Sequence, residues 1–114
     1  MQSSMLQNTV SVKDLRDVDI ALEWVNNRMD DRSCLITHTA FRGQAVLALN
    51  SKEIIHYGYE EPNIGLEEAF RQGYSKVYLV WWVAGEGWYR QPTILSAFTV
   101  VFRSGQIAIY LLNI

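Results

Sequence analysis

Helix-like and strand-like segments alternate through most of this sequence, and that alternation limits the available folds more than any other feature. Ser11-Val12-Lys13-Asp14 fits a capping box. Leu15, Val18, Leu22, Val25 and Met29 follow at steps of three and four, the spacing of an amphipathic helix that Asp30-Asp31 would end. Ser33 to His38 (SCLITH) is short, apolar and β-branched, as a buried strand is. Thr39 can cap a second helix over Ala40 to Leu49, with Gly43 as its weak point. Glu53 to Tyr57 (EIIHY) reads as a strand. Asn63 caps a third helix that carries Leu66 and Phe70 on one face, and Gly73 is its left-handed terminator. Lys76 to Val83 (KVYLVWWV) is the strongest strand.

After the loop Ala84 to Arg90 (AGEGWYR) and one helical turn over Pro92 to Ala97, two β-rich runs, Phe98 to Arg103 and Gln106 to Leu112, flank Ser104-Gly105 as a hairpin. Strand–helix–strand alternation requires parallel strands joined by right-handed crossovers. The expected fold is therefore α/β: a three-layer, Rossmann-like, mostly parallel sheet with a C-terminal antiparallel hairpin at one edge. The strand at 76–83, the most apolar, should be central. Residues 1–10 read as a flexible lead-in or linker, and 11–114 as a single domain.

Hydrophobic residues make up 49% of the chain and charged residues 19%, against a usual charged share of about 25%. That balance suits a sheet buried on both faces or a surface hidden against a partner. The net charge is −2 and the ten Lys and Arg residues are scattered, so the footprint of a nucleic-acid binder or an anionic-lipid binder is missing. Cys34 is the single cysteine; it has no internal disulfide partner and no second thiolate for a zinc site, and packing is its expected role. Residues 1–10 lack the basic start and apolar core of a signal peptide. The longest apolar run, Val77 to Ala84, falls far short of the roughly 20 residues of a spanning helix.

Open parallel sheets bind ligands beyond the carboxyl ends of their strands. Both histidines, His38 and His56, and the glycine-flanked Glu86 fall at such ends. Two imidazoles and a carboxylate suit zinc or iron, but these three share no ligand spacing, and strand-end histidines that bond a loop backbone are the plainer expectation. Trp82, Trp88 and Tyr89 can stack on a sugar ring or serve as core or interface anchors. Arg42, early in the helix after the first strand, is the nearest cation for Glu86. Gly85-x-Gly87 is half of a dinucleotide fingerprint and lacks the third glycine. Asp17-Val18-Asp19 resembles a metal-holding D-x-D pair, yet residues two apart on a helix face different ways, so solvated charge is expected. No G-x-S-x-G elbow or P-loop occurs. The expected binding set is His38, Arg42, His56, Glu86, Trp88 and Tyr89, with no catalytic residue, metal or cofactor.

Several short segments resemble one family. They are EWVN (Glu23 to Asn26), Phe41 to Gly43, Gly73-Tyr74, VYLVWW (Val77 to Trp82) and FTVVFRSGQIAIYLLN (Phe98 to Asn113). Together they are similar to the soluble tails and large loops of multi-spanning membrane glycosyltransferases that use polyprenyl-phosphate sugars, archaeal oligosaccharyltransferase-like proteins above all. The likeness runs over residues 11 to 113. Where that family's tail carries W-W-D-x-G, Trp81-Trp82 is followed by Val83-Ala84-Gly85, so no acceptor-reading acid carries over. The resemblance implies a non-catalytic domain on the extracytoplasmic face of the membrane, bound to the membrane-spanning portion of a larger chain or to a lipid-linked glycan. Two other readings stay open. One is a free-standing cytoplasmic metal-binding or hydrolytic protein using His38, His56 and Glu86; the other is a homo-oligomer built through the closing hairpin.

Overall fold

The computed structural model describes residues 12–50, 54–57, 63–83 and 93–114. Three helices, α1 (Val12–Asn26), α2 (Arg42–Leu49) and α3 (Asn63–Gln72), accompany five strands: β1 (Ser33–His38), β2 (Ile54–Tyr57), β3 (Lys76–Trp82), β4 (Thr99–Ser104) and β5 (Ile107–Asn113). The strands form one sheet in the order β2-β1-β3-β5-β4. β1 is parallel to β2 and to β3, whereas β5 is antiparallel to both β3 and β4. The protein is thus α/β with a mixed sheet, and the expectation of a mostly parallel one is corrected: two of the four pairings are antiparallel. The reason is that β5 runs beside β3 along all seven residues of that strand, from Lys76↔Asn113 to Trp82↔Ile107. The hairpin stands at one edge of the sheet, as expected, and supplies two of its five strands.

β3 holds the centre, as its apolar sequence requires. Val77, Leu79 and Val80 are fully buried and Tyr78, Trp81 and Trp82 nearly so. β1 is buried at every position, which explains its unbroken SCLIT run. α1 buries Val18, Ala21, Leu22 and Val25 completely. It packs on α2 and on β3, β4 and β5, while α3 packs on β1 and β2.

α1 stops at Asn26, short of Asp30-Asp31. The N–H groups of Arg28 and Met29 both reach the Val25 carbonyl, at 2.9 and 3.0 Å, and this tightened turn still brings Met29 into the core. Asp30 organises the next bend: its Oδ1 accepts from Ser33 Oγ at 2.8 Å and from the Arg32 N–H at 2.9 Å, an Asx-type turn. α3 ends as its sequence predicts. Gly73 has φ +83, its N–H bonds to the Phe70 carbonyl, and the Tyr74 N–H bonds to the Ala69 carbonyl. That pair of bonds is a Schellman cap.

The second helix begins later than expected. Residues Thr39–Phe41 form a 3-10 turn and α2 starts at Arg42. The hairpin turn also lies one residue later, at Gly105-Gln106, because Ser104 still pairs with Ile107. Its cause is tertiary. Ser104 Oγ donates to Asp17 Oδ1 of α1 at 2.8 Å, and Gly105, at φ +59, lies so close beneath Asp17 that a β-carbon there would sit 2.1 Å from Oδ2. Only glycine satisfies both demands. β4 is the outer strand beside β5 and carries a register shift between Val100 and Phe102.

Candidate functional site

β1, β2 and β3 run in the same direction, so their carboxyl ends share one end of the sheet, where ligands bind in such folds. His38 is the last residue of β1 and is 2% exposed. Its ring sits among aromatic side chains, with centroids 5.6 Å from Trp81, 6.4 Å from Phe41 and 6.5 Å from Trp82. Burial in these surroundings holds its pKa below the usual histidine value. The Ala40 N–H donates to Nδ1 at 2.9 Å. In a neutral imidazole one nitrogen accepts while the other carries the proton, so the hydrogen is on Nε2 and neither ring lone pair is open to a metal ion. The ring takes up an N–H of the 3-10 turn that Thr39 was expected to cap. At the start of α2, Phe41 makes no side-chain capping bond.

His56 lies in β2 opposite Thr37, and His38 lies opposite Tyr57. Parallel partners share a face and successive positions alternate, so the His56 and His38 positions belong to opposite faces of the sheet. The side chain of His56, and residues Glu86, Trp88 and Tyr89, lie outside the described residues. Among the described residues no group of three His, Cys, Asp or Glu side chains could hold a metal ion.

Arg42 stands in the first turn of α2, directly beyond the end of β1, and is exposed. No ion pair joins it to a carboxylate among the described residues.

Trp82 cannot serve as a sugar platform. It is 1% exposed, packs on Phe41 at 4.9 Å, meets Trp81 edge-on at 5.3 Å, and donates its indole N–H to Asp14 Oδ2 at 3.1 Å. Trp24 is half-buried and packs against Phe102 at 4.9 Å and the Arg28 guanidinium at 4.2 Å.

The acidic pair on α1 is also corrected. Asp17 is 8% exposed rather than solvated. It binds Ser104 on one oxygen and Lys13 on the other, at 2.8 and 3.2 Å. The Ser104 hydrogen bond, helped by Lys13, holds its carboxyl below the usual aspartate range. Asp19 turns away and accepts from Gln44 Nε2 of α2 at 2.6 Å. The two acids do face different ways, as residues two apart on a helix must, but nothing in the local sequence points Asp17 at a hairpin 87 residues distant.

These features define an α/β domain in which several described polar groups, Asp14, Asp17, Asp19 and Gln44 among them, fasten one element to another. No protein-family model, curated protein or solved structure matches the chain.

Proposed function

We propose that this chain is a non-catalytic binding domain of a larger, glycosyltransferase-like membrane protein, working on the extracytoplasmic face, and that its site is the carboxyl end of β1, β2 and β3. The observation that carries the reading is Arg42. It is an exposed cation at that end of the sheet, in the first turn of a helix whose N-cap residue supplies no capping bond. A guanidinium at the N-terminal, positive end of a helix favours an anionic group, and a phosphate-linked glycan presents one. The neighbouring His38 is buried, neutral and committed to Ala40, which suits a residue that shapes a pocket rather than one that moves protons. The glycosyltransferase assignment itself rests on the resemblance of residues 11 to 113.

The same reading includes a three-layer, Rossmann-like arrangement. β1→α2→β2 steps one way across the sheet and β2→α3→β3 steps back past β1. Right-handed crossovers in opposite directions set their helices on opposite faces. Self-assembly through β4 fits less well, since a register shift of the kind seen after Val100 blunts an edge strand.

The test is co-sedimentation of the chain with liposomes containing a polyprenyl-phosphate-linked glycan and with liposomes lacking it. Binding should require the glycan lipid, and Arg42→Gln should weaken it about tenfold, the scale of one charged hydrogen-bonding contact, without changing the melting temperature. Equal sedimentation with both liposomes, or full binding by Arg42→Gln, refutes the proposal.

A further inference from the structure

A second surface lies on the solvent side of α1 and α2, away from the strand ends. Asp19, Ile20, Glu23, Asn26 and Asn27 on one helix face Gln44, Leu47 and Ala48 on the other across an open groove of about 730 Å³. The spacing of each set is that of a single helical stripe. Gln44 Nε2 closes one end by donating to the Leu15 carbonyl at 3.1 Å and to Asp19. The apolar part is unusually open: Leu47 is 86% exposed and Ile20 44% exposed. Single exposed apolar side chains are ordinary; these two lie together in one groove. The charge at the groove is of one sign, because Asp19 and Glu23 line it and no Lys or Arg does.

We propose that this groove docks an amphipathic helix of a partner protein, one that carries an apolar stripe flanked by Lys or Arg. The stripe covers Ile20, Leu47 and Ala48, and the flanking cations meet Asp19 and Glu23. Charge complementarity selects this occupant over two others. A second copy presenting the same groove would set acid against acid. Residues 1–11 of the chain contain no Lys or Arg, so they cannot answer the acidic rim. Helix-in-groove recognition of this kind draws affinity from the apolar anchors and orientation from the charges. The proposal is independent of the strand-end site, which shares none of the groove's residues.

The probe is a fluorescently labelled amphipathic helix built from Leu, Ala and Lys, with a Leu, Ala and Glu version as control, titrated into the intact chain and followed by anisotropy. The Lys helix should bind, lose affinity as salt rises, and exceed the Glu helix by at least about tenfold. Leu47→Asp and Glu23→Lys should each weaken it by about tenfold, the scale of an interface anchor. Glu67→Lys on α3, equally exposed but remote from the groove, should leave it unchanged. Melting temperatures should stay constant, since Leu47 and Glu23 are exposed. Should a variant fail to fold, amide exchange on the wild-type chain decides instead: the helix should protect residues 19–27 and 44–48. Four results overturn the proposal. These are no binding by the Lys helix with no protection of the groove, an equal loss on Glu67→Lys, binding that appears only after residues 1–11 are deleted, or a dimer that Leu47→Asp splits.

Discussion

Gly105 offers the sharpest test of how the hairpin is tied to α1. Replacing it with alanine makes two separate demands. The first is local: a residue with a β-carbon at φ +59 costs about 1–2 kcal/mol. The second is tertiary. The new β-carbon would lie 2.1 Å from Asp17 Oδ2 and 2.8 Å from its carboxyl carbon, while ordinary contact begins near 3.4 Å. The carboxylate must therefore retreat by about 1.3 Å, the difference between those distances, and in doing so it leaves Ser104 Oγ and Lys13 Nζ. Gly105→Ala should thus cost distinctly more than the backbone cost in the wild type, but only about 1–2 kcal/mol in an Asp17→Ala background, where only the flexible end of Lys13, 2.9 Å from the new β-carbon, must move aside. Urea unfolding of the four proteins of this cycle measures both values. Strict additivity would refute the account of the turn.

Two other expectations concern pH dependence and the Trp24 stack. Burial holds the His38 pKa below its unfolded value of 6.5, so the unfolded chain binds the extra proton. The His38 contribution should be complete above pH 6.5 and shrink as pH falls toward the folded pKa. Asp17 and Asp30, lowered from 3.8 by hydrogen bonds from Ser104 and Ser33 first of all, lose their contribution only as pH falls below that value. Chemical denaturation at pH 7.5 and 5.0 isolates the histidine part, and a His38→Gln chain that keeps the whole pH 5.0 loss would contradict this assignment. Trp24→Ala, which removes the stack on Phe102 and the support under Arg28, should destabilise by about 2–3 kcal/mol; a loss below about 0.5 kcal/mol would show that this stack of two aromatic side chains and a guanidinium is not a fastening.

The elements of this fold were legible because their signals are local. The α1 stripe, the Gly73 terminator and the unbroken apolar run of β3 each announce their structure within a few residues. β3 could be placed at the centre because a strand buried on both faces has no polar alternation. What the sequence concealed was non-local. Ser104 and Gly105 read as an ordinary two-residue turn until Asp17 is seen above them, and Asp17 reads as surface charge until Ser104 is seen below. For His38 the plainer expectation, a strand-end histidine that bonds a loop backbone, holds: the 2.9 Å contact from the Ala40 N–H assigns its lone pair. The two histidines fell at strand ends in sequence, yet a one-residue register difference sets their positions on opposite faces, and register is fixed by pairing that no single strand encodes. Of the six expected binding residues, the described structure places the side chains of His38 and Arg42.

The strand-end site is tested most directly by amide chemical-shift mapping of the labelled chain against a polyprenyl-phosphate-linked glycan in nanodiscs. Perturbations should centre on residues 37–43, with the ends of β2 at Tyr57 and β3 at Trp82, and Arg42→Gln should remove them. Perturbations confined to the opposite end of the sheet, near Ser33, Lys76 and Asn113, or none at saturating glycan, would contradict it.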